Sequence, residues 1–202
     1  MLFRSKAIAE GHLTSRQWVE HCLGRIHDNE TNGSWSYVDE ERALKRADEL
    51  DWMRNDGSAF GSLHGCPVGV KDIIEIEGMP HGCGSTLMGE VSEANAVLVD
   101  ALEAAGAVIL GKTETTEFAF LNPARTKNPL SSEHTPGGSS AGSAAAVASG
   151  DVPVAIGTQT NGSVIRPASY CGVYAMKPSA GIIPRTGVFE QSPTLDQIGL
   201  FA

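Results

Sequence analysis

Two periods of apolar positions run along this chain. From residue 14 to 26, Trp18, Val19, Cys22, Leu23 and Ile26 recur at helical spacing on one face, and Thr14 or Ser15 is placed to cap that helix. Thr31-Asn-Gly-Ser34 reads as a turn, followed by a short strand at 35–38 and a charged helix over 40–53 that Asn55-Asp-Gly57 ends. A continuous apolar run predicts a buried strand over 67–76. Ser92 is placed to cap a further helix carrying Val97, Leu98, Ala101, Leu102 and Ala105 on one stripe, with Gly106 as its stop. A strand is expected at 107–110, loop over 122–136, a small alanine-rich helix at 141–149, and strands at 152–156 and 173–176. Strands alternating with helices imply an α/β fold with a largely covered sheet. The last residues, Ile198 to Ala202, are apolar and carry no cap or stop signal, so the sequence is expected to end mid-architecture.

Bulk properties narrow the function classes. The 202 residues are one large domain or two small ones, with a hydrophobic fraction of 41% and a charged fraction of 19%, the values of a soluble globular protein. A formal net charge of -9 argues against nucleic acid or a membrane surface as partner. No apolar run reaches membrane-spanning length, and the start lacks the apolar core of a signal peptide, so the expected location is cytoplasmic. In that compartment Cys22, Cys66, Cys83 and Cys171 are expected to be reduced packing residues.

Candidate chemistry sits in three segments. Lys71 lies in the apolar run Pro67-Val-Gly-Val-Lys-Asp-Ile-Ile74, where a buried lysine is costly unless neutral or paired. Alternation places Asp72 on the opposite face, so Asp72 is not its obvious partner. The bland reading is a structural ion pair or an edge lysine reaching solvent. Ser139 lies in Thr135-Pro-Gly-Gly-Ser-Ser-Ala-Gly-Ser143. Ser163 lies in Gly157-Thr-Gln-Thr-Asn-Gly-Ser-Val-Ile-Arg-Pro167, where the N–H groups of Thr160, Asn161, Gly162 and Ser163 could converge on one oxygen. An ordinary strand-to-helix turn is the plain alternative. Together these are the parts for nucleophilic catalysis with lysine as the base.

Three rival motifs fail on detail. Gly137 to Gly142 fits a phosphate loop, but Ser143 stands where lysine is needed. Gly138-Ser-Ser-Ala-Gly142 fits a nucleophile elbow at Ser140, but no hydrophobic strand precedes it and all six histidines come earlier in the chain. His64-Gly-Cys66 and His81-Gly-Cys83 could in principle ligate zinc, but the spacing is unusual and both pairs sit beside turns.

Taken together, the segments resemble the amidase signature family nearly end to end. Leu63-His-Gly-Cys-Pro-Val-Gly-Val-Lys-Asp72, Ala105-Gly-Ala-Val-Ile-Leu-Gly-Lys-Thr113, Pro136-Gly-Gly-Ser-Ser-Ala-Gly-Ser143, Gly162-Ser163 with Pro167-Ala168, Lys177-Pro178 and Leu195-Asp196 follow the family's motifs in order. The resemblance implies a mixed, largely covered β-sheet flanked by helices, with residues 1–202 forming the N-terminal part of a single amidase domain. It implies Ser163 as nucleophile, Ser139 as a bridging serine after a cis peptide bond, Lys71 as base, and Thr160, Asn161 and Gly162 around the oxyanion. The implied partner is a small-molecule amide substrate, with no cofactor and no metal. An isolated chain of this extent is expected to be poorly stable or to associate as a homo-oligomer. Gln159, Asn161 and Arg166 depart from the usual pattern: many members have aspartate, a small residue, and an arginine one position earlier. A neutral Gln159 cannot pair with the arginine as a carboxylate would. Two alternatives remain: the glutaminase subunit of a tRNA-dependent amidotransferase, and a non-catalytic remnant.

Overall fold

The computed structural model describes residues 2–58 and 61–202. Helix α1 (Leu2–Ala9) precedes α2 (Ser15–Asp28), which begins with a capping box: the Thr14 hydroxyl accepts the Gln17 amide while the Gln17 side chain accepts the Thr14 amide. The predicted stripe of Trp18, Val19, Cys22, Leu23 and Ile26 is buried. After β1 (Trp35–Val38), Asp39 caps α3 (Glu40–Asn55) through the Arg42 amide, and Ala43, Ala47 and Leu50 form the buried stripe of that otherwise charged helix. The Asp51 carboxylate accepts the Ser15 and Arg16 amides, so α3 supplies a second cap to α2.

The remaining elements are β2 (Pro67–Lys71), α4 (Val97–Ala104), β3 (Val108–Thr113), α5 (Ala141–Ala148), β4 (Val154–Gln159), α6 (Ile165–Cys171), β5 (Ala175–Met176) and β6 (Gln197–Phe201). The six strands form one sheet in the order β1-β3-β2-β4-β6-β5. The central trio β3, β2 and β4 is parallel, while β1, β6 and β5 pair antiparallel with their neighbours. The fold is therefore α/β with a mixed sheet flanked by helices. Every residue of β2 and β3 is buried, which is why both read as continuous apolar runs rather than alternating ones.

Several boundaries differ from the sequence expectation. Strand β2 ends at Lys71 rather than 76, because the amides of Ile73 and Ile74 both turn back to the Lys71 carbonyl. That turn is apolar because residues 187–189 cover it, through bonds from Glu75 to Gly187 and from Phe189 to Ile73. Ser92 does not cap α4. The helix starts after Ala96 without a side-chain cap, and the Ser92 amide is spent on the Met79 carbonyl. Its buried residues are Leu98 and Val99, while Val97 and Ala101 face outward, so the expected stripe was out of phase. Strands β3 and β4 run three residues further than expected, to Thr113 and Gln159, and the second of these extensions carries the chain into the candidate site. The apolar stretch at 197–201, to which the pattern assigned no element, is β6, hydrogen-bonded between β4 and β5.

Candidate active site

Three segments meet where β2 and β4 end. Lys71, the last residue of β2, is wholly buried, and its Nζ donates to Ser139 Oγ at 2.7 Å and to Thr158 Oγ1 at 2.9 Å. Among the described residues no carboxylate forms an ion pair with it. Burial pushes its pKa down to about 7, against the opposing charge of Asp196. Much of the amine is therefore neutral near neutral pH. In that form the contact reverses, and the Ser139 hydroxyl can donate to Nζ.

Ser139 is fixed by its backbone. The Gly138–Ser139 peptide bond is cis, as expected. The Ser139 carbonyl accepts the Ala141 amide at 2.9 Å, the Thr116 amide at 3.1 Å and the Thr115 hydroxyl at 3.1 Å. Gly137 holds a left-handed φ of 78°, and a Cβ there would press on the Pro167 backbone at 3.0 Å. The neighbouring Ser140 is committed elsewhere. Its hydroxyl donates to the Thr158 carbonyl and accepts the Thr158 amide, and it is fully buried. This is a clamp between the loop and β4, not an exposed elbow nucleophile. The Ser140 amide donates to the Ser163 carbonyl at 3.2 Å, which draws the 160–163 turn against the loop carrying Ser139.

Gln159 closes that turn. Its Oε1 accepts the amides of Val164 and Ile165, each at 2.9 Å, at the start of α6. It does not engage Arg166, whose Nε instead donates to the Gly138 carbonyl at 2.9 Å. The two departures thus bond separate partners. Among the described residues, the amides of Asn161, Gly162 and Ser163 and the Ser163 hydroxyl have no protein hydrogen-bond partner. Ser163 is buried, Gly162 half-buried and Asn161 exposed, so this row of free donors runs from the interior to the surface. The Thr160 hydroxyl is turned the other way and donates to the Asp196 carboxylate and to Gln191.

The sequence reading missed Thr158, Thr115, Thr116 and Asp196 as site residues. It also missed Lys112, which pairs with Asp72 at 3.0 Å and donates to the Pro80 carbonyl. The signal for Lys112 was present: it is a second lysine directly after an apolar run, Val108-Ile-Leu-Gly111, on a strand that is buried throughout. His64 and His81 do not converge with the cysteines. His64 Nε2 meets the Leu50 carbonyl, and among the described residues no group of three or more His, Cys, Asp or Glu is placed to hold a metal. All four cysteines are buried and free. Among the described residues no helix is long and apolar enough to cross a membrane.

The sequence model of the Amidase family matches residues 17–202. The chain belongs to the amidase family. A glutamyl-tRNA(Gln) amidotransferase subunit from Chloroflexus aggregans is 40% identical over 204 residues, covering 97% of this chain and 42% of the relative. The corresponding protein of Clostridium botulinum Alaska E43 is 43% identical over 170 residues, covering 81% and 35%. The native peptide amidase of Stenotrophomonas maltophilia superposes with a TM-score of 0.93 at 36% identity, covering 98% of this chain and 44% of that one. The chain thus spans about two-fifths of the length of these amidase relatives.

Proposed function

We propose that this chain carries the catalytic core of an amide hydrolase that works through an acyl-enzyme on Ser163. The observation that carries the reading is the Lys71–Ser139 contact of 2.7 Å in a fully buried setting, with no carboxylate in ion-pair contact with the lysine among the described residues. Neutral Lys71 accepts the proton of Ser139, and Ser139 accepts that of Ser163 as its oxygen bonds to the amide carbon. The carbonyl electrons move onto oxygen, which the free amides of Asn161, Gly162 and Ser163 stabilise. As the C–N bond breaks, Ser139 returns a proton to the leaving amine and regains one from Lys71. Water then attacks the ester, giving its proton along the same relay, and the acid leaves as Ser163 is reprotonated. Thr160, whose amide also has no protein hydrogen-bond partner among the described residues, stands at the head of this row of donors.

The substrate class proposed is a small-molecule linear carboxylic amide, and the proposed setting is the cytoplasm. A second reading is supported by the names of the similar amidotransferase proteins: a glutaminase whose ammonia goes to a partner. The test is labelling with a fluorophosphonate, followed by peptide mass mapping, together with ammonia release from glutamine and from simple carboxamides. Label on Ser163 with release from carboxamides alone supports the hydrolase. Release from glutamine only when partner proteins are added favours the second reading. Absence of label on Ser163 contradicts both and leaves a non-catalytic remnant.

A further inference from the structure

The antiparallel register of β4 and β6 pairs Thr158 with Ile198 and Gln159 with Gln197. Continued by one residue, it sets Asp196 opposite Thr160. The Asp196 carboxylate is buried and fully used there. Oδ1 accepts the Thr160 hydroxyl, and Oδ2 accepts the amides of Gln191 at 2.7 Å and Ser192 at 2.8 Å. Gln191 extends the clamp: its Oε1 also accepts from Thr160, and its Nε2 donates to the Ala119 carbonyl. Two threonines separated by one residue thus reach the two titratable groups. Thr158 holds Lys71, and Thr160 holds Asp196. Both threonines and Asp196 line one small cavity.

We propose that Asp196 is a positioning residue for this site: through Thr160 it fixes the turn whose amides face the reacting oxygen, and its carboxylate is the negative charge that the β4–β6 register sets beside the Thr158–Lys71 contact. The proposal rests on the hydrolase reading above. The other groups facing Lys71 are the Ser139 and Thr158 hydroxyls and the Cys83 thiol, which burial pushes up to about 12 and so keeps neutral. Arg185 lines the same cavity as Asp196, but its guanidinium donates to the carbonyls of Ser192 and Pro193. Among the described residues Asp196 has no ion-pair partner. Its charge acts on Lys71 in the direction that favours the protonated amine.

The test uses the protein that carries this chain and the rate of Ser163 phosphonylation by a fluorophosphonate as a function of pH. Asp196→Asn keeps the size of the side chain and removes its charge. Its rate should fall about tenfold at the optimum, as expected for a loosened oxyanion turn. The limb on which reactivity rises with pH should move to lower pH, because Lys71 then loses its proton more readily. Thr160→Val removes the hydroxyl but leaves Asp196 charged on the Gln191 and Ser192 amides, so its rate should fall with the limb unmoved. An Asp196→Asn rate within about twofold of the parent, or a fall with an unmoved limb, overturns the proposal. Should Asp196→Asn not fold, Thr160→Val decides: a rate within about twofold of the parent overturns it, and a slow, unshifted profile supports it. Ser163→Ala in the same assay separates the two levels. If label persists on another serine, the hydrolase reading fails, whatever Asp196 does.

Discussion

Two buried lysines stand on adjacent strands and meet opposite fates. Lys71 on β2 and Lys112 on β3 are both 0% exposed, and burial pushes both pKa values down. Lys112 has Asp72 at 3.0 Å, so the pair is locally neutral and the amine is held charged against that push. Lys71 sees two hydroxyls, from Ser139 and Thr158, and loses its proton near neutrality. The burial is the same. The nearest partner decides whether a buried lysine is structure or a base.

The contrast between the two lysines can be broken at several points. The largest expected effect is on reactivity. Ser163→Ala should abolish fluorophosphonate labelling, and Lys71→Met should slow it by about a thousandfold or more, with Ser139→Ala comparable and the effects far from additive. A Lys71→Met protein that labels at the parent rate sinks the relay.

Stability should show the reverse ranking. Lys112→Met strands the Asp72 carboxylate in the interior and should cost about 3–5 kcal/mol in a chemical denaturation experiment. Lys71→Met removes a buried amine without orphaning a charge and should leave the fold as stable as before or more so. Equal losses from both variants would mean that Lys71 is structural too.

The pH dependence of stability sharpens the same contrast. Lys71 titrates at about 7 in the folded protein and near 10.5 when unfolded. Between those values the unfolded chain binds more protons, so the Lys71 contribution makes stability rise with pH across that window. Its cost is fully present below about 7. Lys71→Met should flatten this rise, and denaturation midpoints measured across the window would show it. The smallest effect is expected from Ser140→Ala. It loses the paired bonds to Thr158, about 1–2 kcal/mol of stability, with only a mild change in labelling. Loss of labelling in Ser140→Ala with retention in Ser163→Ala would reopen the elbow reading.

How far the sequence carried these conclusions depended on whether the signal was local. The α2 stripe and its Thr14 cap are set by residues within a few positions of one another, and both were legible. The glycine-serine loop and the 160–163 turn were legible as motifs, and the alternation that turned Asp72 away from Lys71 holds in the structure, where Asp72 faces Lys112. What escaped was non-local. Strand β6 has no turn signal of its own and becomes a strand only because β4 and β5 offer their edges. The stop of β2 at Lys71 was hidden because the following turn is apolar under the 187–189 segment. Asp196 lies 125 positions beyond Lys71, and only the β4–β6 register brings it to the site.

The central claim is that Lys71 works as a neutral base for Ser163 through Ser139. The most direct measurement is the pH profile of Ser163 phosphonylation, with the labelled peptide identified by mass spectrometry, in the parent and in Lys71→Met. The account predicts label on Ser163, a parent rate that climbs through about pH 7 and then levels, and a slow, pH-independent rate in Lys71→Met. A Lys71→Met profile that climbs through the same pH at a comparable rate, or label that falls on Ser140 instead, would contradict it.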